Sequence, residues 1–375
     1  MTVATALVSD NDALPRLAED AVRQALERAG ATHANGVLLF LTPEFARHAQ
    51  QTITAVARVA QCTQVAGGIA SGIFTESGWA LDRPAAAVMV LGGDLSLGHA
   101  EVGQHPVLSY AGGNFPPEWG NDGVRFGGCF SGSTGCADAL VWQQCRLTEP
   151  QRCSTQLLGA TLDIAVSSGL KLLGKALPVD SSKGFDVEQI GGQTALKSLN
   201  RMLPTHLRNH AGLLHHVNAV LFENEGQANT ALADGHFRPI AIVTANADNS
   251  LTLAERVVPG QFLAWAIRQP DGAMADMRQT VERLAKKLEG SAQPRCALMF
   301  SCIGRGPYFY GGEDGDLDVF RERFPGLPVL GTYGTGQIAP STAVSGDSVN
   351  RLMQNAVVTA LVSTRVKEEH VQPIA

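Results

Sequence analysis

The chain alternates two hydrophobic spacings. Over residues 14–29, Leu14, Leu17, Ala21 and Ala25 recur at helical intervals while Glu19, Arg23, Glu27 and Arg28 take the other faces, and Gly30 ends the pattern. That spacing predicts a helix with one buried stripe. VLLFL, residues 37–41, is instead an unbroken apolar run of strand length. A second helix is predicted where Phe45, Ala49, Ile53, Val56 and Ala60 fall on one side, and AAAVMVL, residues 85–91, reads as a further buried strand closed by Gly92-Gly93.

The end of the chain repeats this order. Met277, Val281, Leu284 and Leu288 form the stripe of a helix over residues 274–288, CALMF (296–300) is a strand, residues 317–324 a second helix, and NAVVTALV (355–362) stands where AAAVMVL stood. Val329 aligns with Val65, and Gly331 with Gly67. The reading is duplication of a domain-sized unit. We therefore expect an α/β (α+β) fold of two related halves, each a mixed sheet packed in layers with helices about a pseudo-twofold axis.

Between the halves, residues 161–192 alternate short apolar runs with Gly, Asp and Ser turns, as antiparallel strands do. A helix is expected over 194–202, and strands over 240–243, 250–253 and 261–267. Residues 109–123, with Gly112-Gly113, Pro116-Pro117 and Trp119, are the most loop-like stretch and a candidate cover for a site.

One turn is written three times: GGIASG (67–72), GGCFSG (127–132) and GTYGTG (331–336). Each keeps its first and last glycine and a hydroxyl at the fifth place, Ser71, Ser131 or Thr335. Terminal glycines permit close backbone approach and can leave N–H groups for an anion; the same glycines also serve as tight packing corners. Neither GxGxxG nor GxxxxGK[ST] occurs in these turns, so no nucleotide cofactor is expected.

Bulk properties narrow the classes. At 375 residues, 45% apolar and 17% charged, the chain can bury a large interior. A net charge of −6 without basic runs argues against nucleic acid or an anionic membrane as partner, and no apolar stretch has the length of a membrane span or leader. Cytoplasmic residence is the expectation. Cys129, Cys136, Cys145 and Cys153 are spaced too widely for a zinc ligand pair, and His215-His216 has no carboxylate at ligand spacing, so no metal site is expected.

The densest local chemistry is FSCIGRGPYFYGGEDGD, residues 300–316. Arg305, between Gly304 and Gly306, suits a bidentate grip on a ligand carboxylate, or a fastening pair with Glu313 or Asp314. Cys302 is either a thiolate favoured by Arg305 or a buried small side chain.

SCIGRG, together with PVLGTYGTGQIAP (328–340), resembles the C-terminal half of the FIST family. CTQVAGGIASG resembles its N-terminal half, and residues 171–199 its linking segment. The resemblance implies an N-terminal-like domain over residues 1–200 and a C-terminal-like domain over 201–375, together a sensory module for small ligands, amino acids or small carboxylates being the expected class, with any output supplied by a separate signalling partner. Where the family carries Glu after the turn, this chain has Gln337 and Ile73. The expected function is small-ligand binding without catalysis, in a cleft lined by Ser71, Ser131, Cys302, Arg305, Gly306, Tyr333, Thr335 and Gln337. The alternatives are an enzyme using Cys302 or Ser71 as nucleophile and an interaction scaffold.

Overall fold

The computed structural model describes residues 3–101, 103, 105–131, 139–208, 214, 216–222, 237–288, 292–342 and 348–365. Two compact units are formed, one from residues 1–167 with 280–375 and one from 168–279. The family-based boundary near residue 200 is a division of a different kind, since the larger unit takes both ends of the chain.

Among the described residues, the larger unit holds three six-stranded sheets. From edge to edge, the first runs Val3–Ser9, Ala85–Leu91, Gly36–Leu41, Val65–Ile69, Val141–Gln143, Arg146–Leu147. The second runs Thr161–Ser167, Val357–Arg365, Ala292–Cys302, Val329–Gly334, Gly72–Thr75, Gly78–Leu81. The third runs Ser96–His99, Arg152–Leu158, Val107–Gly112, Arg125–Phe130, Gly336–Thr342, Ser348–Met353. In each, the third and fourth strands are parallel and every other pairing is antiparallel.

Register repeats with the strand order. Phe40 pairs with Gly68, Tyr110 with Gly128 and Phe300 with Thr332. The backbone bonds Val37 N–H to Gln64 O (2.9 Å), Val107 N–H to Val124 O (2.8 Å) and Ala297 N–H to Pro328 O (2.9 Å) recur at one position of the three sheets. One strand order therefore recurs three times within one unit, rather than as the two layered halves expected from the sequence.

The last two strands of each sheet form a hairpin that comes from another sheet's glycine turn. GGIASG carries the chain from the first sheet into the second, GTYGTG from the second into the third, and the segment after Phe130 from the third back into the first. The exchange is cyclic.

Alternation along the strands gives the first sheet two buried faces. Val37, Leu39 and Leu41 pack with Leu17, Ala21, Val22 and Ala25 of helix Pro15–Ala29 and with Ile53 and Val56 of helix Ala49–Ala60. Pro15 at the first helical position and Gly30 at φ 66° bound the former helix as the sequence indicates. Leu38 and Phe40 face a core shared by all three sheets. At its centre, Phe40, Tyr110 and Phe300, one from each sheet at matching register, meet with centroids 5.3, 5.8 and 6.4 Å apart. Such edge and tilted contacts favour the ring quadrupoles beyond simple burial.

The smaller unit departs from the layered expectation. Its antiparallel strands Phe262–Arg268, Leu177–Lys183, Asp186–Ile190, Leu251–Leu253, Arg238–Ala245 and Val217–Phe222 pair in that order, and the last pairs back with the first, closing a barrel. Closure removes the exposed edges a layer would leave. Val179, Val187, Leu251 and Leu263 fill it with Ala195 and Leu199 of helix Ala195–Met202. In sequence, this unit stands between strands Thr161–Ser167 and Ala292–Cys302 of the second sheet, where the first sheet has helix Pro15–Ala29 between Val3–Ser9 and Gly36–Leu41.

Candidate functional site

Each glycine motif begins inside the fourth strand of its sheet, Val65–Ile69, Arg125–Phe130 or Val329–Gly334, and runs past that strand's C-terminal end. Ile69 N–H donates to Leu140 O (2.8 Å), and both Thr335 N–H (3.1 Å) and its hydroxyl (3.3 Å) donate to Cys129 O. Each contact binds the end of one sheet to the hairpin entering it. The first glycines are required by packing: a Cβ on Gly67 would lie 1.7 Å from Leu39 O, on Gly127 1.9 Å from Ser109 O, and on Gly331 2.1 Å from the Phe74 ring. The hydroxyl residues lie nearer the surface than these glycines. Ser71 is half-buried, and Ser131 and Thr335 are exposed. Gly132 and Cys136 lie outside the described residues.

The other predicted residues are buried. Arg305, 1% exposed, sends Nε to Asp316 Oδ2 (3.1 Å) and Nη2 to Asp316 Oδ1 (2.5 Å), while Nη1 donates to the Ser167 carbonyl (2.9 Å) and hydroxyl (3.1 Å). Its carboxylate partner is Asp316, not Glu313 or Asp314. Asp314 caps helix Gly315–Arg323, accepting from the N–H groups of Asp316 (3.1 Å) and Leu317 (3.0 Å), and it also accepts from the Tyr333 hydroxyl. Burial first, and the Asp316 charge second, push the Asp314 carboxyl up to about 6. The Tyr333 ring lies 4.8 Å from Phe74, and Gly306 leaves the space beside it: a Cβ there would sit 3.3 Å from the Tyr333 ring. Cys302 faces the side-chain oxygen of Asn355 at 3.7 Å.

Gln337 is different from all of these. It is 0% exposed, yet neither its amide oxygen nor its amide nitrogen has a hydrogen-bond partner. It pairs in register with Gly128, which pairs with Tyr110, so Gln337 and Tyr110 flank a glycine on the core face of the third sheet. The corresponding positions in the other sheets are Ile73 and Val141, both apolar. Tyr110 Oη and Thr332 Oγ1 are likewise buried without partners, and the Phe130 ring lies over Gly128, 3.0 Å from where its Cβ would be. Tyr110 lies outside the turn motifs, and Thr332, though inside GTYGTG, is not singled out by it; only the register brings the two to the same core.

The sequence also gave no sign of a buried polar network on the outer face of the third sheet. Arg125, 3% exposed, donates to the hydroxyls of Ser109 (2.9 Å) and Ser154 (3.0 Å), pairs with Asp122 and lies 4.9 Å from the Trp119 ring centroid. It fastens the loop over residues 113–124. A pocket of about 420 Å³, lined by Val3, Arg295, Arg323, Phe324 and Leu327 among others, lies at the opposite end of the second sheet's parallel strands from the glycine turns. None of the eight predicted residues lines it. Among the described residues, no three ligating side chains cluster as a metal site, and no helix is long and apolar enough to cross a membrane; His215 is not among them.

With barrel, three sheets and turns in place, the class is that of an α+β chain carrying a FIST C domain, which matches residues 195–340. An uncharacterized protein of Mycobacterium bovis is 29% identical over 179 residues, 47% of this chain and 45% of that protein. A second uncharacterized protein, from Mycobacterium tuberculosis, is 24% identical over 218 residues, 57% of this chain and 55% of its own. Human F-box only protein 22 is 31% identical over 77 residues, 20% of this chain and 19% of its own. The chain thus spans about half the length of the mycobacterial relatives it matches.

Proposed function

We propose that this chain is a small-ligand-binding sensory protein, without chemistry of its own, which reports its state to a separate protein partner. Support for the class comes from the FIST C domain. Support for the site comes from one observation, the fully buried and unpartnered amide of Gln337. Leaving such a group without hydrogen bonds costs roughly 1–3 kcal/mol, so a polar molecule that pairs with it is favoured. An amide offers donors and an acceptor together. A small α-amino acid fits that pattern, its carboxylate receiving the N–H groups and its ammonium reaching the oxygen. Where the family carries Glu, the neutral amide holds the ammonium more weakly and the carboxylate better. The hydroxyls of Tyr110 and Thr332 extend the polar surface within the core, and Ser71, Ser131 and Thr335 stand at the turn end.

The test is a thermal-shift screen of amino acids and small carboxylates against the wild-type protein and Gln337→Met. Methionine keeps the volume and removes the orphan amide. The variant should be more stable than wild type without ligand, by about 1–3 kcal/mol, and should lose every ligand-induced shift. An undiminished shift in the variant removes Gln337 from the site. Mass spectrometry of any hit after prolonged incubation should recover it unchanged, and turnover would instead favour Cys302 or Ser71 as a nucleophile.

A further inference from the structure

Two cysteines away from the glycine turns are brought together by the fold. Cys62 follows helix Ala49–Ala60, and Cys145 lies at the tip of the hairpin formed by Val141–Gln143 and Arg146–Leu147. The two are 83 positions apart. Cys145 Sγ nevertheless sits 2.9 Å from Thr63 O and 3.9 Å from Cys62 O, and Cys145 N–H donates to Val65 O at 3.3 Å. Gln50 holds the hairpin tip from the helix side, its amide donating to Cys145 O (2.9 Å) and accepting from Leu147 N–H (3.1 Å). Both cysteines are only partly buried, whereas Cys129, Cys153, Cys296 and Cys302 are buried.

The hairpin tip is built against its own backbone preference. Trp142 pairs with Leu147 and Gln143 with Arg146, leaving a two-residue turn of Gln144 and Cys145 with φ of 51° and 63°. Such turns favour Asn-Gly, because a side chain is disfavoured at positive φ in both places. A strained residue whose sulfur is held against the Cys62–Thr63 backbone, beside a second partly buried thiol, points to a use for that side chain.

We infer that Cys62 and Cys145 form a reversible thiol–disulfide site whose oxidant is a low-molecular-weight disulfide. The Cys62 sulfur, which accepts from Gln64 N–H at 3.3 Å, is the attacking atom. As thiolate it displaces one thiol from the reagent and forms a mixed disulfide. The Cys145 thiolate then attacks the Cys62 sulfur, forms the Cys62–Cys145 bond and expels the second thiol. Two electrons pass from the protein pair to the reagent, and the two protein thiol protons end on the two released thiols. Burial raises both thiols, so exchange is slow and the assay must run to equilibrium. The bond fastens to the helix the hairpin that completes the first sheet, and by closing a long loop it restricts the unfolded chain.

The full-length protein is equilibrated in buffers of increasing oxidised-to-reduced glutathione ratio, alkylated, digested without reduction and examined by mass spectrometry beside Cys62→Ser and Cys145→Gly. A Cys62–Cys145 cross-link should appear in wild type alone, with a rise of several degrees in Tm that both variants lack. Reduced Cys145→Gly should melt above reduced wild type, because glycine relieves the turn. Separate glutathione adducts at the two cysteines, linkage of Cys62 to a different cysteine, or a cross-link without any change in Tm would each overturn the inference.

Discussion

Arg305→Ala would leave Asp316 as an unpaired carboxylate at 1% exposure, and removing one partner of such a pair costs about 3–5 kcal/mol. A lower urea midpoint with unchanged m-value should report it, with or without ligand. A variant of wild-type stability would instead free Arg305 for ligand recognition. Asp314 carries a pH dependence. Its folded-state pKa of about 6 lies above the ordinary carboxyl value, so the fold prefers the protonated form. That preference is fully present below about pH 4 and is lost as pH rises through 6, a change on the order of 3 kcal/mol. Asn retains the capping oxygen; the stability of Asp314→Asn relative to wild type should therefore rise over that window, and a parallel pair of pH profiles would refute the assignment. The sequence marked Arg305 as important from its flanking glycines. It could not name the partner, because Asp314 and Asp316 are told apart only by where the helix begins, Asp314 being spent on the cap.

At the scale of elements, glycine and hydroxyl in the repeated turn separate cleanly. Gly67→Ala would drive a methyl into the Leu39 carbonyl at φ 156° and should cost several kcal/mol or prevent folding, while Thr335→Ala, exposed, should stay within about 0.5 kcal/mol. Chemical denaturation of both variants checks this, and equal losses would mean that the hydroxyl is also structural. The helices and strands of the first and second sheets were legible because their periods of 3.6 and unbroken apolar runs are strong signals. The third sheet was not. Its parallel strands are joined through the 3₁₀ turn Pro117–Asn121 instead of an amphipathic helix, so only GGCFSG betrayed it. Barrel closure was equally hidden, since the pairing of Val217–Phe222 with Phe262–Arg268 leaves no local mark. Of the site, the turns were legible and Gln337 was flagged, but its isolation in an apolar core depends on pairing across sheets.

Across the whole larger unit, the three-sheet core is a single packing problem. Phe130 touches Phe40 and Tyr110, with centroids 6.0 Å away in each case, and Phe130→Ala should cost about 3–5 kcal/mol while opening space beside Gln337. A Gln337-dependent ligand should then bind faster to the variant, measured by stopped-flow, and an unchanged rate would mean entry by another route. The cyclic exchange of hairpins also fixes a timetable for synthesis. Gly72–Thr75 and Gly78–Leu81 leave the ribosome early, but their sheet partner Val329–Gly334 follows much later; Glu76 accepts from Val329 N–H across 253 positions. At roughly 5–20 residues per second, that early hairpin waits tens of seconds with an open apolar edge, a condition that invites wrong pairing. A nascent chain arrested before residue 329 should therefore be held by chaperones, and its release should coincide with emergence of the last two strands of the second sheet.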